Sequence, residues 1–175
     1  MNTNIAVIVL VLIALAGGAY WYVTDRNAQE PVVPGEVTPP VTEDTVAVQL
    51  YYYNPANDQG PGGVQCTAAG LVAVEREVQR TITPIQDAIR LLLEGELTVE
   101  ERAQGITTEF PLDGFSLEAA SLTDGALTLT FNDPQNSTVG GSCRASVLWR
   151  QIEATALQFP EVDSVQFAPE DLFQP

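Results

Sequence analysis

The chain has 175 residues and a formal net charge of −16, with 23 acidic side chains, seven basic ones that are all arginine, and no histidine. That length holds one domain plus additional segments. The charge balance excludes a basic patch able to displace counterions from nucleic acid, and the lack of histidine removes the commonest general base and transition-metal ligand.

Residues 1–4 form a short head. From Ile5 to Val23 no charged residue occurs, and Tyr20, Trp21 and Tyr22 close the run. About 20 apolar residues cross the roughly 30 Å hydrocarbon core, and amphipathic aromatics favour its edge. The stretch 5–23 therefore reads as a transmembrane helix with the N-terminus cytoplasmic and the C-terminal part extracytoplasmic. The competing reading is a secretory signal cut after Ala16, which yields a secreted product. Residues 24–44 are a tether with Pro31, Pro34, Pro39 and Pro40 among Glu, Thr and Val. In polyproline-like geometry it reaches on the order of 50 Å.

Residues 45–175 carry globular patterning. Val46, Val48, Leu50 and Tyr52 alternate with Ala47, Gln49, Tyr51 and Tyr53, which predicts a strand. A loop rich in Asn, Pro and Gly follows from Asn54 to Gly63, then a second strand over 71–78 with Val72, Val74 and Val78 on one face. Thr83, Pro84 and Gln86 signal a helix start with a capping box. Ile85, Ala88, Ile89, Leu92 and Leu93 form its apolar stripe, so Ile85, Ile89 and Leu92 are expected to be buried, and Gly95 supplies the left-handed stop. Thr98, Glu101 and Gly105 encode a second, short helix. Segments 115–119 and 126–131 alternate strictly around the hairpin turn Thr123-Asp124-Gly125. After a second loop, 132–142, a helix over about 143–159 presents Ala145, Leu148, Ile152, Ala156 and Phe159 and stops at Pro160; residues 162–167 form the last strand. The order β-β-α-β-β-α-β predicts an α+β fold, with a mixed or antiparallel sheet of about five strands and two main helices on one face.

Cys66 and Cys143 end the two long loops. In an exported domain a disulfide between them is favoured, with a closed loop adding ~4 kcal/mol; two unpaired thiols are the alternative. Two cysteines without histidine make no zinc site. Among the carboxylates, Glu75, Glu77, Glu94, Glu96, Glu100, Glu101 and Glu109 are the candidates for an acid/base pair, although most fall at helix ends or on polar strand faces. Asn54, Asn57 and Asp58, or Asn132, Asp133 and Asn136, are candidate calcium ligands without the spacing of a known calcium loop; turn formation is the competing role. Ser142 and Ser146 lack a base to activate them. Asn136-Ser137-Thr138 fits a glycosylation acceptor. No catalytic residue, cofactor or metal is assigned. Tyr51 and Tyr53, together with Trp149 beside the second helix stripe, are the candidate interaction surface, with cover by a loop as the alternative.

Several of these segments together resemble the GerMN domain, also called the sporulation and spore germination domain. The carrying residues are Val48-Gln49-Leu50-Tyr51-Tyr52-Tyr53, Leu71 to Val78, Ala88 to Gly95, Gly105-Ile106, Phe110-Pro111, Ala126 to Phe131, and Gln151 to Val162. The resemblance implies a non-catalytic α+β domain related to ring-building motifs, carried outside the cytoplasm on membrane- or lipid-anchored bacterial proteins of envelope assemblies. This chain departs from much of the family in its helical anchor. The leading expectation is a membrane-anchored envelope domain that binds other envelope proteins or itself, through a sheet edge or a helix, and no nucleic acid. The alternatives are a ligand-binding module for a glycan, peptide or calcium, built on the two loops, and an acid/base hydrolase using glutamates.

Overall fold

The computed structural model describes residues 44–175. The head, the anticipated span over 5–23 and the tether up to residue 43 lie outside the described residues. No helix among the described residues is long and apolar enough to cross a membrane.

Strand β1, Thr45–Tyr53, pairs antiparallel with β4, Leu71–Gln79, in unbroken register from Thr45 opposite Gln79 to Tyr53 opposite Leu71. The period-2 pattern works as read: Val48, Leu50 and Tyr52 are buried, and Val74 opposite Leu50 is buried with them. Arg76 stands opposite Val48 on this inward face. It is accommodated because both oxygens of Glu101 receive its guanidinium, at 2.7 and 2.8 Å, and the Glu96 carbonyl accepts a third donation at 3.0 Å. Between β1 and β4 the chain makes a miniature hairpin, β2 (Gln59–Gly60) with β3 (Gly63–Val64).

Helix α1, Pro84–Glu94, buries Ala88, Ile89, Leu92 and Leu93, while Ile85 is only half-buried at the end of the stripe. The anticipated capping box at Thr83 does not form. Thr83 accepts no cap hydrogen bond; instead its N–H donates to the Thr81 hydroxyl at 3.1 Å, and that hydroxyl donates to Asp87. Thr83 does not take the extended cap conformation; its ψ is 50°. Gly95 ends α1 with φ 66°, and a side chain there would run into the Phe110 carbonyl, so the position needs glycine twice over. Helix α2, Val99–Ala103, does carry its capping box: Thr98 Oγ1 accepts from the Glu101 N–H at 3.1 Å, and Glu101 Oε2 accepts from the Thr98 N–H at 2.8 Å.

Strands β5, Ser116–Thr123, and β6, Ala126–Asn132, form a hairpin through Asp124 and Gly125, at φ 50° and 80°. Two positive φ values match the right-handed strand twist, which explains the Asp-Gly pair. Helix α3, Ser142–Leu157, is the crossover that lets β7, Ser164–Ala168, join β6 in parallel. Leu127, Leu129 and Phe131 of β6 meet Leu148, Ile152 and Ala156 of α3 in one buried core with the α1 stripe.

The five principal strands do not form the single sheet expected. They divide into a β1–β4 ribbon and a three-stranded β5–β6–β7 sheet, with α1 touching β1 and β5 and α3 touching β1 and β7. The reason lies on the outer edge of β1. There the Tyr51 N–H donates to Thr155 Oγ1 at 3.0 Å, the Gln49 N–H donates to Gln158 Oε1 at 2.7 Å, and Gln158 Nε2 donates to the Gln49 carbonyl at 2.6 Å. Side chains of α3 and of Gln158, which caps its C-terminus, thus occupy the ladder positions that another strand would need, one of the ways a fold protects a sheet edge.

Candidate functional site

The two long loops are held by one aspartate each. In the first, Asn54 caps a single 3₁₀ turn, accepting from the Ala56 N–H at 3.0 Å and donating to the Gln104 carbonyl at 2.9 Å. Asp58 follows as the only buried carboxylate among the described residues. It accepts from the Tyr53 hydroxyl at 2.5 Å, and from the Thr67 N–H and hydroxyl at 2.6 Å each. Those donations, from Thr67 first and Tyr53 next, hold Asp58 below the usual carboxylate range, while burial and the Asp58 contact push Tyr53 up to about 12. In the second loop Asp133 accepts from the N–H and hydroxyl of Ser137 and of Thr138, all between 2.7 and 3.0 Å. Burial works to raise its pKa, but the Thr138 and Ser137 donations outweigh that and leave it below the usual range. Neither aspartate is therefore arranged for calcium, and Asn54 acts as a cap. No cluster of three or more metal-ligating side chains occurs among the described residues.

Cys66 and Cys143 are joined by a disulfide with Cα atoms 5.2 Å apart, tying the first loop to the first turn of α3. Ser146, one turn on, donates to the Cys66 carbonyl at 3.2 Å and accepts from Arg150 at 3.1 Å, a bracing role for this linkage. Of the seven candidate glutamates, six are exposed, and half-buried Glu101 is committed to Arg76 and Thr98, with Arg76 chiefly responsible for lowering its pKa.

The candidate aromatic surface is corrected in part. Tyr53 is 6 % exposed, because its own loop folds back over it: Asp58 takes its hydroxyl, and Gly70 lies so close to its ring that no side chain fits there. Tyr51 is half-buried and donates to Gln49 Oε1 at 3.2 Å. Trp149 remains open at 45 % exposure, set edge-on to Phe167 of β7 at 5.7 Å between ring centres. Two shallow grooves of about 270 Å³ flank it, one toward Ser146 and Glu153 on α3, the other along Val165 and Phe167. Phe173 lines both. It belongs to a C-terminal segment that sequence reasoning left unassigned, and it buries itself with Leu172 as the Gly140 N–H donates to the Gln174 carbonyl. The Phe-Gln-Pro ending was the available signal, since an apolar residue after a strand end needs cover.

A third groove, of about 430 Å³, lies between the end of β1, the segment 107–109 and α3. Gln151 lines it and is fully buried, a polar residue inside a helix stripe that spacing alone assigns to no role.

These titrating groups set a pH profile. Asp58, Glu101 and Asp133 lie below their ordinary values in the folded state. The stability they add is complete above the unfolded values of about 4 and is lost as the pH falls through the lower folded ones. Tyr52 and Tyr53, both at about 12 with burial the main cause, add stability that is complete below about 10 and lost as the pH rises toward their folded values. Melting temperature measured across the pH range is expected to show a plateau that falls at both ends, and Asp133→Asn should flatten the acid limb. An unchanged acid limb would remove Asp133 from this account.

The family described as "Germane: Sporulation and spore germination" matches residues 49–171. The tandem GerMN domains of the sporulation protein GerM from Bacillus subtilis are similar at a TM-score of 0.51 and 21% identity, over 75% of this chain and 42% of that one. This chain thus spans less than half of that structure. The first GerMN domain of the same protein gives a TM-score of 0.49 at 15% identity, over 70% of this chain and 80% of that one. A putative lipoprotein from Clostridium perfringens gives 0.38 at 14% identity, over 74% and 80%. No curated protein matches the chain.

Proposed function

The chain belongs to the sporulation and spore germination domain family, and from that premise we propose that residues 44–175 form a non-enzymatic assembly domain of the bacterial cell envelope. The segment 5–23 anchors it as a single membrane span, and the proline-rich tether carries it outside the cytoplasm. Its partner is another envelope protein or a further copy of the chain. The observation that carries the reading is Trp149, 45 % exposed beside β7, a strand paired on one side only among the described residues. An open aromatic next to an unpaired strand edge suits a protein partner that adds a strand or packs a helix there. The net charge of −16 favours basic partners and a salt-sensitive association rate.

Crosslinking of the full chain in cells, followed by identification of what is captured, tests this. The expected result is capture of an envelope protein or of the chain itself, with yield falling at least fivefold in Trp149→Ala at equal abundance. Capture unchanged by that substitution moves the contact elsewhere, and no capture at good expression counts against assembly.

A further inference from the structure

The two larger sheets end in four edge strands, β1, β4, β5 and β7, and three of them carry a device against further pairing. Thr155 and Gln158 take the edge hydrogen bonds of β1. β4 bears the charged run Glu75-Arg76-Glu77, and a bulge at Glu118 interrupts β5. β7, Ser-Val-Gln-Phe-Ala, has no charge, no proline and an unbroken register with β6. Among the described residues no hydrogen bond beyond the β6 ladder reaches Val165 to Ala168. The Ser164 N–H donates to the Gly125 carbonyl at 3.2 Å, so Ser164 faces β6. Backbone direction alternates along a strand. Gln166 and Ala168 therefore face β6 as well, and the N–H and C=O groups of Val165 and Phe167 point to the open edge.

The same two residues line the groove of about 270 Å³ beside Trp149. Alternate side chains of a strand paired with β7 lie on the same face as Val165 and Phe167. They enter this groove, where Trp149 and Phe173 give an apolar wall. A helix laid over the edge would fill the groove but bury the backbone groups of Val165 and Phe167 unpaired, which costs free energy.

Charges at the two ends of β7 select the partner. Glu161 and Asp163 precede the strand, Glu170 and Asp171 follow it, and all four are exposed. None takes part in an ion pair among the described residues. Arg150 lies in the groove on the other side of Trp149 and donates to Ser146 at 3.1 Å. A second copy paired symmetrically through β7 would set acidic ends against acidic ends, which is unfavourable. Cations at both ends of an incoming strand are attracted instead. Five residues span about 17 Å, so basic residues flanking an apolar stretch of that length meet both ends.

We propose that the open edge of β7 takes an extended, basic-flanked segment of a partner protein as a further strand, with its alternate apolar side chains in the groove beside Trp149. This rests on the assembly reading and commits it to strand addition by a cationic partner.

Fluorescence anisotropy of the full chain in neutral detergent micelles tests it, with the dye-labelled, end-capped peptide Arg-Thr-Val-Thr-Leu-Thr-Arg as the probe. Saturable binding that weakens with salt is expected, at least tenfold weaker when glutamate replaces both arginines. Val165→Pro removes an N–H that points to the open edge and keeps the β6 ladder, so the fold should hold; binding should fall at least tenfold. Asp163→Asn combined with Glu170→Gln changes only exposed side chains and should weaken binding at least threefold. That pair decides alone if Val165→Pro loses the native circular dichroism spectrum. The proposal is overturned if the basic peptide fails to bind, if the acidic analogue binds equally, or if either variant binds as the wild type does. Capture in cells that falls in Trp149→Ala but not in a folded Val165→Pro overturns strand addition alone and leaves assembly standing. Self-association of the chain that Val165→Pro abolishes gives the edge to a second copy and overturns the cationic partner.

Discussion

Replacing Cys66 and Cys143 together by serine is expected to lower the unfolding free energy by about 4.5 kcal/mol, and reduction of the wild type should reproduce the loss. The estimate follows from the chain closed by the bond, whose ends are 77 residues apart in sequence: in the unfolded state that closure removes much of the freedom a long loop would otherwise have. The folded state should change little. Asp58 still gathers Tyr53 and Thr67 on one side of the linkage, and Asp133 still gathers Ser137 and Thr138 on the other. Urea unfolding followed by circular dichroism would therefore show an earlier midpoint with an unchanged native spectrum. A loss under about 1 kcal/mol would mean that the unfolded chain is already compact around these loops, since residual structure in that state removes the entropic advantage.

Leu92→Ala should cost a comparable amount, about 3 to 5 kcal/mol in the upper part of the usual range for such truncations. Leu92 has no exposed surface and belongs to the buried core, on a helix that touches β1, β5 and α3 at once. Elements packed on several sides have little room to collapse into the space left by the lost methyl groups, so the cavity persists. Val99→Ala is the matched control. Val99 is 78 % exposed in the first turn of α2, and its truncation should stay within about 0.5 kcal/mol. Equal losses in the two variants would mean that the helix stripe is not the centre of the core.

Much of the fold is legible without the structure, and so is part of the candidate site. The alternation of Val48, Leu50 and Tyr52, the α1 stripe, the left-handed stop at Gly95 and the Thr98–Glu101 box are each local, depending on periodicity, chirality or a hydrogen bond within three residues. The family resemblance rests on the same segments, and the family match over residues 49–171 agrees with it. The exposed position of Trp149, beside the α3 stripe, belongs to the same local class.

The expectations that changed depend on partners far away in sequence. Tyr53 looks exposed by alternation, and alternation is silent about a loop that returns Asp58, Thr67 and Gly70 over it. Thr83 has a capping residue's identity, but its ψ of 50° is not that of a cap, and the Thr81 hydroxyl takes its N–H instead. Gln151 falls at a helix position whose burial depends on what β1 and residues 107–109 place against it.

By itself the sequence determined the five principal strands, the helices and the side of each helix that faces the core, because backbone sterics and hydrophobic periodicity act over a few residues. Tertiary structure alone decided how the five principal strands divide into two sheets and where the grooves open. Thr155 and Gln158 reach the edge of β1 across more than 100 residues of chain, and such a contact exists only when α3 has already packed. No local pattern encodes it.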